Sequence, residues 1–162
     1  MNAQLSILIL ALSPMLVSAQ SEVHPSPDQT LRAVVIPVGK KGFEQRESRL
    51  EIQLANGVSL QRKNLSSPDG AHGASIAHAA WTADGQFFVF NVESSGGHQP
   101  WHLTTYFYSR HENRFHRLDD FIGPVTSDFT LTGQSTLKTT RSNFSINQEK
   151  EPVVVRLSKL RR

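Results

Sequence analysis

The chain has no cysteine. No disulfide can staple it, no thiolate can bind a metal or attack a substrate, and no lipid can be attached through a cysteine. An exported domain of this sequence must be held by its core alone. Methionine, tryptophan and tyrosine are scarce, with two of each, so the nine phenylalanines carry most of the aromatic weight. Beyond the first residues no apolar run is long enough to span a membrane, since a helical span needs about 20 residues. Neither G-x-S-x-G nor H-E-x-x-H occurs, which removes the two most recognisable patterns for nucleophilic and zinc chemistry. The seven histidines have no metal-ligand spacing. His98 and His102, four apart, would lie about 13 Å from each other in a strand. No catalytic residue, metal or cofactor is assigned.

What is present begins with an export signal. Leu5 to Leu12 is apolar, and the run resumes at Met15-Leu16-Val17 after Ser13-Pro14. Val17-Ser18-Ala19 then places small or branched residues at the −3 and −1 positions of a signal-peptidase site. Residues 1–19 read as a signal peptide and residues 20–162 as a single domain, periplasmic or secreted. The net charge of +3 is uneven. Met1 to Phe121 holds ten Lys/Arg against eleven Asp/Glu, whereas Ile122 to Arg162 holds seven against three. In an exported protein a basic end suits anionic partners such as lipid head groups or acidic polysaccharide. It equally suits an edge strand whose charges block edge-to-edge pairing. No nucleic-acid partner and no membrane span of the mature chain are expected.

The pattern of the domain is all-β. Thr30 to Val38 is β-rich, with Pro37 marking its end or a bulge. Ser48 to Leu54 alternates polar and apolar, so Leu50, Ile52 and Leu54 share a face. Asn56-Gly57 is a hairpin signal, and Val58 to Leu65 is the return strand. Ile76 to Trp81, Gln86 to Glu93, Trp101 to Ser109 and Arg114 to Leu118 read as four more strands. The third to last of these, QFFVFNVE, is apolar enough to be a central strand buried on both faces. Phe129 to Thr140 gives another hairpin and Pro152 to Leu160 a final strand. Ser21 to Pro27 reads as a polar leader. Ser26-Pro-Asp-Gln ahead of Thr30-Leu-Arg-Ala-Val-Val parallels Thr82-Ala-Asp-Gly ahead of Gln86-Phe-Phe-Val-Phe-Asn, an internal repeat of stacked hairpin units. Leu131 to Leu160 fits a degraded third copy.

Ser67-Pro68-Asp69-Gly70, and Trp81-Thr82-Ala83-Asp84-Gly85 followed by Phe88-Val89-Phe90, resemble the W-S-P-D-G-x-x-[LI]-[AV]-F strand–turn–strand of TolB-like β-propeller repeats. Such propellers use about 40–45 residues per blade and at least four blades, so this chain would supply about three. The resemblance implies antiparallel meander units forming a partial propeller, a small curved sheet or a sandwich, or a sheet that closes by oligomerisation. It implies binding of partners outside the cytoplasm and carries no catalytic residues over.

The densest chemistry lies in the loop from Ser94 to His102. Ser95, Gly97, His98, Gln99, Trp101 and His102 are the candidate ligand-binding residues. Glycine lets a backbone approach a ligand, tryptophan offers a flat apolar face, and two imidazoles titrate near neutral pH. A sugar or a peptide suits that set. The competing account is packing, with Trp101 plugging the core. Three functions follow: a noncatalytic module binding an unknown protein or glycan partner; a small hydrolase or carbohydrate-active enzyme using residues 93–102; and a structural subunit completed by oligomerisation. A buried carboxylate or histidine within reach of Ser94 or Ser95 would favour the enzyme. Formal glycosylation sequons stand at Asn64-Leu-Ser66 and Asn143-Phe-Ser145. Mass spectrometry of the exported protein should find Gln20 at its N-terminus; an intact Met1 on the soluble chain would contradict the signal peptide.

Overall fold

The computed structural model describes residues 20–39, 46–96, 101–143 and 149–160. The expected signal peptide, residues 1–19, lies outside the described residues, as do Gly97, His98 and Gln99. The chain forms three antiparallel sheets, none closed on itself. The first has four strands in sequence order: β1 (Glu22–Pro25), β2 (Leu31–Val38), β3 (Glu47–Leu54) and β4 (Ser59–Asn64). The second repeats that meander with β5 (Ala74–Trp81), β6 (Phe87–Ser94), β7 (Thr105–Ser109) and β8 (Arg114–Arg117). A one-turn helix, α1 (Asp119–Ile122), leads to the third sheet of β9 (Thr130–Thr132), β10 (Thr136–Asn143) and β11 (Glu149–Arg156). A 3-10 turn, Leu157–Lys159, follows β11.

Two cores lie on the two faces of the second sheet. Phe88, Phe90 and Tyr108 pack with Leu31, Ala33, Val35, Leu50 and Ile52 of the first sheet, and Trp81 lies against this cluster. Phe87, Val89 and Phe107 pack with Val125, Phe129, Leu137, Val155 and Leu157 on the side of the third. Successive strand residues point to opposite faces. A strand between two layers must therefore be apolar at every position, which is why QFFVFNVE reads as it does. Tyr106 and Tyr108 face the first core and Phe107 the second, as alternation requires.

One turn recurs at the matching place in both repeat units, between the first and second strands of each. Ser26 Oγ donates to Asp28 Oδ1 at 2.6 Å and accepts from the backbone N–H of Leu31 at 3.0 Å. Fifty-six residues on, Thr82 Oγ1 donates to Asp84 Oδ1 at 2.6 Å and accepts from Phe87 N–H at 3.1 Å. Each aspartate also takes the N–H two residues later, of Thr30 or Gln86. The residue after it adopts positive φ, 57° at Gln29 and 65° at Gly85. Ser67-Pro68-Asp69-Gly70 builds the same turn in the β4–β5 connection: Ser67 Oγ donates to Asp69 at 2.7 Å and Gly70 has φ 73°.

Several boundaries differ from the sequence reading. The leader Ser21–Pro27 contains a strand. β1 pairs with β2 from Glu22↔Val35 to Pro25↔Arg32, and Trp81 Nε1 donates to His24 O at 2.9 Å. Its residues are mostly polar and end in Pro25, so its own composition does not announce the strand that pairing with β2 makes of it. Pro37 is the last residue but one of β2 and does not bulge it. Ala55 N donates to Thr30 O, which fixes the alternation of the ladder and turns the Pro37 nitrogen away from β3, where β2 has run past the end of β1. The strand read from Trp101 begins only at Thr105, because Leu103 N donates to Val125 O instead of to a neighbouring strand. The last strand starts at Glu149 and ends at Arg156, where the backbone tightens into the 3-10 turn. Phe88→Ala and Phe90→Ala should each cost about 3–5 kcal/mol in chemical denaturation, the range for emptying a buried aromatic site. Unchanged melting of both variants would refute the two-sided burial of β6.

Candidate functional site

The strand directions sort the connections into two ends. Tight turns, including 26–30, 82–86 and 110–113, lie at one end. The longer connections β2–β3, β4–β5 and β6–β7 leave from the other. Binding residues concentrate on loops carried by a rigid scaffold, so the long-connection end is the first place to look. The candidate loop leaves from it.

That end is organised by Glu47, the first residue of β3, whose side chain is 1% exposed. No cation pairs with it among the described residues. Its oxygens accept from Ser67 Oγ at 2.6 Å, Ser67 N at 3.0 Å, Gly73 N at 2.6 Å and Ser95 Oγ at 3.2 Å. Burial pushes the carboxyl pKa up, but these hydrogen bonds from Ser67, Gly73 and Ser95 outweigh it and hold the pKa below the ordinary glutamate value. One carboxylate thus fastens the β4–β5 connection and the start of the β6–β7 loop to the first sheet. Gly73 is required here: a Cβ would stand 2.6 Å from the Glu47 carboxyl carbon and 2.5 Å from Leu65 O. Beside this hub is a shallow hollow of about 230 Å³ bordered by Val38, Gly39, Ser66 and Pro68.

The candidate residues divide across this geometry. Ser95 belongs to the hub, with its N–H and hydroxyl both 3.0 Å from Gly73 O. Trp101 is 57% exposed, so it does not plug the core. Its ring lies 4.7 Å from that of His102. His102 Nε2 is 3.5 Å from Thr104 Oγ1, while its Nδ1 is buried without a partner among the described residues. Gly97, His98 and Gln99 lie outside the described residues, so the six are not placed as one constellation.

A carboxylate does lie within reach of Ser95, as an enzyme would need. Its chemistry runs the other way. A glutamate kept ionised by neutral donors is a weak base, and among the described residues no imidazole bridges it to the hydroxyl. Asp69 and His72, joined by a short hydrogen bond, give a similar picture. The Ala71 N–H, Ser67 and His72 together hold Asp69 far below the ordinary aspartate range, but the Ser67 hydroxyl meets the His72 backbone N–H rather than its ring. No group of three or more acidic, histidine or cysteine side chains suited to a metal occurs among the described residues.

Two further polar features escaped the sequence reading. Asp128 Oδ1 accepts from His78 Nδ1 at 2.8 Å, Asn91 Nδ2 at 2.7 Å and Phe129 N at 2.7 Å. His78 stacks on Phe129 at 4.4 Å. At the tight-turn end a cleft of about 480 Å³ opens between the second and third sheets, with Asp84, Gln86, His111 and Glu112 around Phe87 and Phe107. A glutamate opening a strand, or an aspartate beside a phenylalanine, carries no local pattern that marks such a role. Gly73 is the one local hint, a glycine with no turn signature of its own.

In comparisons with known proteins, no family model and no curated protein matches the chain. The lowered pKa of Glu47 sets the direction of an acid response. Its contribution to stability is fully present above the unfolded glutamate value of 4.5 and is lost as pH falls below that through the folded value. Glu47→Gln should cost about 2–3 kcal/mol at neutral pH, because an amide must turn an N–H₂ group toward a backbone donor. It should also flatten the loss of stability below pH 4.5 in denaturant titrations. An unchanged acid limb would remove Glu47 from that role.

Proposed function

We propose that the chain is an exported, noncatalytic binding module, periplasmic or secreted, built of blades of the TolB-like kind. It captures a protein or glycan partner through Trp101 and His102 at the long-connection end. The observation that carries this reading is the 57% exposure of Trp101. A core role would bury that ring, and a ring held at the surface beside an imidazole is the type of group that anchors partners. Glu47 supports it by fixing Ser95, so the loop departs from a rigid base. The blade reading draws its support from the Ser26 and Thr82 turns, which match bond for bond.

One observation favours a second reading, a small hydrolase or carbohydrate-active enzyme: the buried Glu47 carboxylate 3.2 Å from Ser95 Oγ. Its depressed pKa makes this the weaker alternative. Surface plasmon resonance of the mature chain against a panel of neutral oligosaccharides and extended peptides tests both readings. Trp101→Ala should leave stability within about 0.5 kcal/mol of the parent and weaken capture at least about tenfold. A variant that melts early yet binds normally when folded would return Trp101 to a packing role. Turnover of any panel member, abolished by Ser95→Ala, would install the enzyme instead.

A further inference from the structure

We infer that the outward face of the third sheet is a binding surface for an acidic polysaccharide. The inward face is fixed by the core: Leu137 and Val155 are buried, and Leu131 and Val153 pack against the same cluster. Alternation then turns Thr130, Thr132, Thr136, Lys138, Thr140, Lys150, Val154 and Arg156 outward. Register arranges them in rows across the strands. Thr132, Thr136 and Arg156 form one row, and Thr130, Lys138 and Val154 the next. Lys150 stands near the far end of β11.

Three properties of this face point to the same partner. It is cationic without compensation: Lys138, Lys150 and Arg156 have no ion-pair partner among the described residues. Glu151 lies on the other face, where Arg141 takes it at 2.5 Å. The positive charges are spread out. Lys150 and Arg156 are six residues apart on one strand, about 20 Å, too far to grip one small anion but suited to a chain with repeated negative charges. Between the cations lie threonine hydroxyls with no hydrogen-bond partner among the described residues, which match sugar hydroxyls. Among the described residues the exposed large apolar side chain here is Val154, 65% exposed, and no aromatic residue stands on this face. An anionic membrane is less well matched, because the described residues of this face offer charge and hydroxyls and no bulky apolar group to insert.

A strand partner is disfavoured at the adjoining edge. Thr140 directs its N–H and C=O toward residues 126 and 127, away from β11, so its neighbour Pro152 faces the open edge. Proline has no N–H to offer there, an arrangement that guards an edge strand against pairing. The face rather than the edge is left for a ligand. This inference stands apart from the Trp101 reading, since the two surfaces share no residue.

The test is binding of the mature chain to alginate fragments, a uronic-acid polymer, with neutral dextran and phosphatidylglycerol vesicles as comparisons. Alginate should bind with an affinity that falls as salt rises, and dextran should not bind. The combined variant Lys138→Gln, Lys150→Gln, Arg156→Gln should lose about tenfold or more, while Arg114→Gln, an exposed cation on β8, should change affinity by less than about twofold. Circular dichroism confirms that the variants fold. The single reversal Lys138→Glu serves if the combined variant does not fold, and should also weaken binding. The inference is overturned if alginate fails to bind at low salt, if dextran binds equally, if the cation variants bind like the parent, or if vesicles bind and alginate does not.

Discussion

The structure depends on one strand being apolar on both faces. β6 runs through the middle of the middle sheet, and Phe87-Phe88-Val89-Phe90 feeds two cores alternately. Phe88 and Phe90 close against the first sheet, Phe87 and Val89 against the third. With no cysteine to staple the layers, the two interfaces must supply the cohesion of the described chain. A polar residue within this run would expose a buried group in one core or the other. Asn91, where the run ends, shows the condition under which one is accepted: its amide donates to Asp128 across the second interface.

Carboxylates hold the ends of the layers, in two different ways. Asp28, Asp69 and Asp84 act within their own turns, each accepting from a serine or threonine two residues earlier. Asp28 is also gripped by Arg110 Nη1 at 2.8 Å, which joins the turns of the first and second sheets. The Ser26 hydroxyl and then Arg110 hold its carboxyl far below the ordinary aspartate range. Glu47 gathers donors 20, 26 and 48 residues away in sequence. Asp28 and Asp84 shape the tight-turn end, while Glu47, with Asp69 inside the β4–β5 connection it holds, shapes the end from which the candidate loop departs.

That difference sets what could be read from the sequence. The hairpins, the offset repeat and the double burial of β6 are local or periodic, and each was legible as spacing. The Ser/Thr-x-Asp turns were legible for the same reason. What escaped depends on contacts that a segment's own residues do not announce. β1 is a strand because Trp81 and β2 hold it, although its own residues are polar and contain proline. Trp101 reads as the start of a strand because WHLTTYFYS alternates, yet the contact of Leu103 with Val125 withdraws its first residues from the ladder. Of the candidate site, the exposure of Trp101 and the placement of Ser95 come from the fold alone. Ser95 looked like a loop serine and serves the Glu47 hub.

The two outer faces end the stack by different means, and the difference explains the uneven charge of the sequence. A layered protein must finish in polar surface, or its end faces would recruit further layers. On the first sheet Arg49 and Arg62 converge on Glu51, and Gln53 links Arg32 to the same carboxylate. The hydrogen bond from Gln53 does most to hold Glu51 below the ordinary glutamate value, against the effect of burial, and the two arginines add to it. That face stays net positive, with three guanidinium groups to one carboxylate, but its cations are tied to one another through Glu51. On the third sheet the cations have no such carboxylate, because the acidic residues of β11 alternate onto the other side. Solubility alone would be served by either solution. Two basic ends also repel each other, which disfavours closing the stack by joining copies end to end. A face with no carboxylate among its cations keeps an attraction for anions that Glu51 reduces on the first sheet.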